Sequence, residues 1–158
     1  MEVQRASWED VVAALELEAE TLGSDVAWDL DRVFKWWEAG VETAVVIKDH
    51  EQLLAYACAM HITSQAYTNI VEGDLDPEML ELSNTERDSG NYWVGIVIVE
   101  TKHRRRGLGL QVLTELTETL EGRFVADVYT DGGRALVETA GWTLLLDGVK
   151  PIYGVAKP

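Results

Sequence analysis

Val99-Glu100-Thr101-Lys102-His103-Arg104-Arg105-Arg106-Gly107-Leu108-Gly109-Leu110 is the stretch that decides how this chain folds. Before it, Tyr92 to Val99 is near-continuously apolar and reads as a central strand covered on both faces. After it, Leu110, Leu113, Leu116 and Leu120 recur at helical spacing. A strand ends, a basic and glycine-bearing turn follows, and a helix begins. The first amides of a helix lack intrahelical acceptors, and the helix start carries partial positive charge. Gly107 and Gly109 let a ligand approach the backbone with no Cβ in the way. Arg104, Arg105 and Arg106 add formal charge. Together these features predict a phosphate site, and a pyrophosphate fits it best.

The basic triplet is a local exception. The chain has 158 residues, with 13 Lys and Arg against 28 Asp and Glu, for a net charge of −15. That balance argues against nucleic-acid binding, whose affinity rests largely on phosphate contacts, and it suits a cationic partner. The length predicts one domain spanning residues 1–158. A lone cysteine, Cys58, excludes an intramolecular disulfide and lies in an apolar run, where a buried thiol is expected. The opening Met1-Glu2-Val3-Gln4-Arg5 has no basic-then-apolar pattern. No apolar run approaches the roughly 18 residues of a membrane span. A cytoplasmic protein with no membrane partner is expected.

Outward from the turn, alternation and helical spacing order the rest. Val3 to Arg5 reads as a short strand, and Ser7 with Asp10 as a partial capping box. Val11, Val12, Leu15, Ala19 and Leu22 make a helical stripe that Gly23 ends. A second helix follows Asp29, with Leu30, Val33, Phe34 and Trp37 as its stripe and Gly40 as its stop. Trp36 falls off that stripe, which predicts exposure or a groove-lining place. Thr43 to Ile47 and Leu53 to Ile62 read as a hairpin. Thr63 to Gly90 is polar, acidic and weakly periodic, and reads as a long loop with a helical turn or two between Pro77 and Leu82. Phe124 to Tyr129 is a further strand. Asp131 is expected to cap a short helix, Gly133 to Ala140, and Trp142 to Leu146 with Ile152 to Ala156 form a last hairpin.

This order, with the phosphate turn inside it, resembles the GNAT superfamily of N-acetyltransferases. The family's central pattern is a strand ending in Val, then Arg/Gln-x-x-Gly-x-Gly/Ala opening a helix. Here that is Val99, then Arg104-Arg105-Arg106-Gly107-Leu108-Gly109, without insertion. Arg5-Ala6-Ser7-Trp8-Glu9-Asp10 resembles the family's opening, and Ala135 to Trp142 its late helix. The resemblance implies an α/β (α+β) fold: a mixed, mostly antiparallel central sheet flanked by helices. It also implies acetyl-CoA as cosubstrate, with no metal. By position, Val97, Ile98 and Val99 would hold the pantetheine arm, and the amides from Arg105 to Leu110 the pyrophosphate, with charge from Arg104 and Arg106. The strand at Phe124 would splay from the central one to leave its backbone free.

The resemblance further implies direct attack of a primary amine on the thioester in a ternary complex, assisted by a strand amide such as that of Val99. The places where family members commonly carry a basic Glu and an acidic Tyr hold Trp93 and Val137 here. His61, at the end of the third strand, is the expected substitute for proton relay, and Tyr129 for protonating the thiolate. The acidic loop and Trp28, Trp36 and Trp37 are candidates for holding the acceptor. That acceptor is a small molecule or a protein amine. A non-catalytic acyl-CoA-binding sensor of the same fold is the alternative, and a homodimer is left open.

Overall fold

The computed structural model describes residues 2–24 and 28–157. Its elements are β1 (Gln4–Arg5), α1 (Trp8–Leu22), α2 (Leu30–Ala39), β2 (Glu42–Asp49), β3 (Gln52–His61), α3 (Ser64–Glu72), β4 (Asn91–Val99), α4 (Leu108–Thr119), β5 (Gly122–Asp127), α5 (Asp131–Thr139), β6 (Thr143–Leu146) and β7 (Ile152–Lys157). The strands form a seven-stranded sheet in the order β1-β2-β3-β4-β5-β7-β6. Only β4 and β5 run parallel; the other neighbours are antiparallel. The sheet is the mixed, mostly antiparallel one expected.

Two apolar layers cover it. On one face α1, α2 and α3 bury Val11, Leu15, Val33, Trp36 and Ile70. On the other, α4 and α5 bury Val112, Leu113, Leu116 and Val137. β3 is buried at every position after Gln52, as a strand sandwiched between helix layers must be. No helix among the described residues is long and apolar enough to cross a membrane.

Three local expectations need correction. In α2, Leu30 and Phe34 are exposed, whereas Trp36 is only 3% accessible and lines a recess, the second of the two places expected for it. The helix is rotated so that Val33 and Trp36 meet the sheet, while Phe34 packs edge-on against Trp8 from outside. The stretch expected to be a loop from Thr63 opens with α3. Thr63 caps it by accepting the Ala66 amide at 3.0 Å, and Gly73 closes it in a left-handed conformation. Only Ala66, Tyr67 and Ile70 are buried there, too few for a visible stripe. Two short 3-10 turns follow, Pro77–Met79 and Leu82–Asn84. Finally, α5 is capped by Thr130 rather than Asp131, its hydroxyl accepting the Gly133 amide at 3.0 Å.

β4 and β5 pair over only three positions, Asn91 with Arg123, Tyr92 with Phe124 and Trp93 with Val125. Beyond Trp93 the two strands part. β4 stays on β3 through Val99, and β5 stays on β7 through Asp127. A bulge opposite Cys58 and Ala59 leaves Gly95 as the extra residue of β4. The expected splay is present, and it starts at the bulge.

Candidate active site

The fork between β4 and β5 opens into a groove of about 870 Å³. At one end lies the basic turn. Gly107 caps α4 with φ 76°, in the left-handed region, and offers no side-chain oxygen to the helix. Arg105 also has a positive φ, 64°, unusual for a residue with a Cβ. Gln111 is the first residue of α4 whose amide reaches back, to the Gly107 carbonyl at 3.0 Å. The amides of Leu108, Gly109 and Leu110 therefore carry no intrahelical bond. A carboxylate or hydroxyl cap would fill this space, and a glycine leaves it for an outside anion. The turn itself is braced from behind. Glu100 accepts the Lys102 amide at 3.1 Å and holds His103 Nδ1 at 2.6 Å, which keeps its carboxyl below the usual range. Arg104 Nε donates to the Val99 carbonyl at 3.4 Å.

From the turn the groove follows β4 back toward Gly95. The Glu100 amide donates to Leu54 of β3, so strand alternation turns the Val97 and Val99 amides toward the gap. Val97, Ile98 and Val99 line the groove, as do Arg104, Arg105, Gly107, Leu108, Gly109 and Leu110. Arg106 is exposed and does not line it. The cradle residues read from the sequence are thus brought together, Arg106 excepted. A charged turn with free amides, continuous with a strand edge of free amides, fits an extended chain ending in a pyrophosphate.

The other end of the groove is acidic. Trp93, at the place where the family resemblance implies a carboxylate, donates its indole N–H to Asp127 Oδ1 of β5 at 2.9 Å. Asp127 Oδ2 is buried with no hydrogen-bond partner among the described residues, and Lys150 Nζ lies 3.9 Å from it. Burial raises the Asp127 carboxyl above its usual range. Glu18, from the buried side of α1, accepts the Trp28 amide at 3.4 Å, and Trp28 packs against Trp93. Burial pushes Glu18 up to about 7. Glu78, in the first 3-10 turn, is also pushed to about 7, by burial and then by the charge of Asp127. Lys150 ties this turn down through Asp76, at 2.8 and 2.9 Å. Tyr129, about half exposed, lines the groove, and burial followed by Glu78, Asp127 and Glu18 holds its phenol protonated well past neutrality. Glu18 and Asp127 line the groove as well; neither was singled out from the sequence.

His61 is elsewhere. It is 4% accessible and does not line the groove. Its Nδ1 accepts the Asp88 amide at 3.2 Å and its Nε2 meets Thr43 Oγ1 at 2.8 Å. The ring is therefore the neutral Nε2–H tautomer, with both nitrogens engaged. Burial depresses its pKa, so the protonated state a relay passes through is disfavoured. The strand end is as expected, but its side chain belongs to a buried network that anchors the loop at Asp88. His61→Gln should lower stability by about 1–3 kcal/mol, the cost of breaking a buried hydrogen-bonded pair, in urea unfolding.

Comparison with known proteins agrees with the geometry. The family model described as the acetyltransferase (GNAT) family matches residues 8–137. Comparison with curated protein sequences gives no match. Among solved structures, the ribosomal-protein-alanine N-acetyltransferase of Brucella melitensis superposes with a TM-score of 0.68 at 15% identity, covering 99% of both chains. A putative acetyltransferase, yncA, of Salmonella typhimurium, solved with its cofactor acetyl-CoA, gives 0.68 at 17% identity, covering 100% of this chain and 94% of that one. The ribosomal-protein-S18-alanine N-acetyltransferase of Escherichia coli gives 0.65 at 16% identity, covering 99% and 92%. With a cradle, a forked sheet and a matching family model over most of its length, the chain belongs to the GNAT acetyltransferase family.

Proposed function

We propose that the protein transfers the acetyl group of acetyl-CoA to a primary amine within a ternary complex. The observation that carries this reading is the groove itself: a phosphate cradle at one end and a set of buried carboxylates around Trp93 at the other, joined by the free edge of β4.

The residues divide the work as follows. The amides of Leu108 to Leu110, with Arg104 and Arg105, hold the pyrophosphate, and the edge of β4 carries the arm. The arm runs back along the strand, so its thioester meets the Gly95 bulge rather than Val99, about 13 Å away at ordinary strand rise. An amide freed by the bulge, not that of Val99, then faces the developing oxyanion. Asp127, fixed by the Trp93 indole, docks the ammonium on its unpartnered Oδ2. Glu18 takes a proton from it, because its carboxyl, pushed to about 7, is matched to neutral solution. The freed nitrogen attacks the carbonyl carbon; the N–C bond forms, the C–S bond breaks, Tyr129 protonates the departing thiolate, and the second proton leaving the acylated nitrogen restores the Tyr129 phenol. Holding amine and thioester together removes much of the entropic barrier.

Two measurements test this. Acetyl-CoA should raise the melting temperature, and a panel of primary amines should include at least one that releases free thiol. Thermal stabilisation with no release from any amine would favour a binding module instead. Tyr129→Phe should lower kcat about tenfold and leave acetyl-CoA affinity within about twofold, since the hydroxyl acts only as the bond to sulfur breaks. An unchanged kcat removes it as the acid.

A further inference from the structure

Glu42, at the start of β2, points under the tryptophans into a recess beside the groove, and the proposed reaction does not use it. The recess is walled by Trp28, Trp36, Tyr56, Met60 and Trp93, and it shares Gly95 and Ile96 with the lining of the groove. It holds about one water-sized group. Glu42 Oε1 receives the Tyr56 hydroxyl at a long 3.4 Å. Oε2 is buried with no hydrogen-bond partner among the described residues. An orphaned carboxylate oxygen in an apolar pocket is costly unless something fills it. Burial pushes this carboxyl up to about 7, with Cys58 and Tyr56 pulling the other way. A cation from this chain does come near: Arg32 lies 4.7 Å from the Trp28 ring and 4.9 Å from that of Trp36. It donates to the Leu80 carbonyl and does not line the recess.

Resting on the acetyl-transfer reading, we propose that this recess is a subsite for a second ammonium of the acceptor, which is therefore a slender, unbranched diamine. A carboxylate at the floor and aromatic rings on the walls select a compact cation over a neutral or anionic group. The size admits a primary ammonium and excludes a trimethylated one. The group in the recess is not the one acetylated, because the reacting nitrogen must stay in the groove with Glu18 and the thioester. One end of the molecule is thus held by Glu42 while the other meets Asp127.

The test compares 1,4-diaminobutane with 1-aminopentane, which has the same number of heavy atoms and a single ammonium. Thiol release should give a kcat/KM at least about tenfold higher for the diamine. In Glu42→Gln that preference should collapse to less than about threefold, with the rate on 1-aminopentane and the acetyl-CoA affinity unchanged. Glu42→Asp withdraws the charge by one methylene, and its optimum should move to 1,5-diaminopentane. Saturable quenching of tryptophan emission by 1,4-diaminobutane, weakened at least about tenfold in Glu42→Gln, gives a readout that needs no turnover. Equal rates on the two amines, a preference that survives in both variants, or no quenching by the diamine overturns the subsite. Failure of the wild-type protein to bind acetyl-CoA overturns the transfer reading instead.

Discussion

Gly107→Glu should cost the protein at least about 100-fold in acetyl-CoA affinity, or about 2.7 kcal/mol by calorimetry. Two effects add. The backbone there sits at φ 76°, which costs a residue with a Cβ roughly 1–2 kcal/mol, so with a Cβ the free turn relaxes and binding must restore the strained conformation. A carboxylate is also placed beside the amides of α4, with Arg104 and Arg105, at the proposed pyrophosphate site. Bulk is not the cause, since a Cβ at this position meets nothing within 4 Å. Gly107→Ala therefore separates the effects. It carries the strain without the charge and should lose only about tenfold. Melting curves without ligand check that both variants fold. If Gly107→Glu keeps its affinity within about threefold, the pyrophosphate does not lie on this turn.

The part of the site that the sequence reveals is the part built from one continuous segment. Strand, turn and helix between Tyr92 and Leu120 lie together in the chain, so spacing alone places Val97 to Leu110 on a common edge. The family resemblance, carried by the same segment, supplied the parallel fork that follows it. The other end of the groove is assembled from α1, β4, β5 and the loop before β4, and no single spacing brings those together. Asp127 reaches Trp93 across 34 positions of sequence. The carboxylate proposed to dock the acceptor lies on the neighbouring strand, which a search along β4 cannot see.

Signals for two of these residues were nevertheless present. Glu18 lies on the stripe of Val11, Ala14 and Leu15, so it is a charge on the buried side of α1. A carboxylate there needs a partner or a purpose. Asp127 interrupts the apolar run from Phe124 to Val128 and is likewise a charge on a core strand. His61 sits at the expected strand end, but its neighbours hold it away from the groove. Thr43 comes from β2 and Asp88 from the loop, and only the fold shows that they occupy both ring nitrogens.

Glu18→Gln gives the second large effect, and it tests the proton's destination in two independent ways. In the wild type, kcat/KM should rise with pH through about 7 as Glu18 loses its proton, because the base acts only when ionised. The Gln variant should lose at least about 100-fold in kcat and should lose that acid limb. Glu42 and Glu78 are also pushed up to about 7, so Glu42→Gln and Glu78→Gln must keep the limb if Glu18 is its source. Stability supplies the second readout. The folded protein raises the Glu18 pKa above that of the unfolded chain, so it binds more protons than the unfolded chain between those two values. Its stabilising contribution is full below the ordinary carboxylate range and is lost as pH rises through about 7. Gln has no proton to lose. The stability of Glu18→Gln relative to wild type should therefore climb by roughly 1–3 kcal/mol between about pH 5 and pH 8, read by urea unfolding. A flat difference, together with an acid limb that persists in the variant, would return the proton to Asp127 and leave Glu18 as a residue that only positions Trp28.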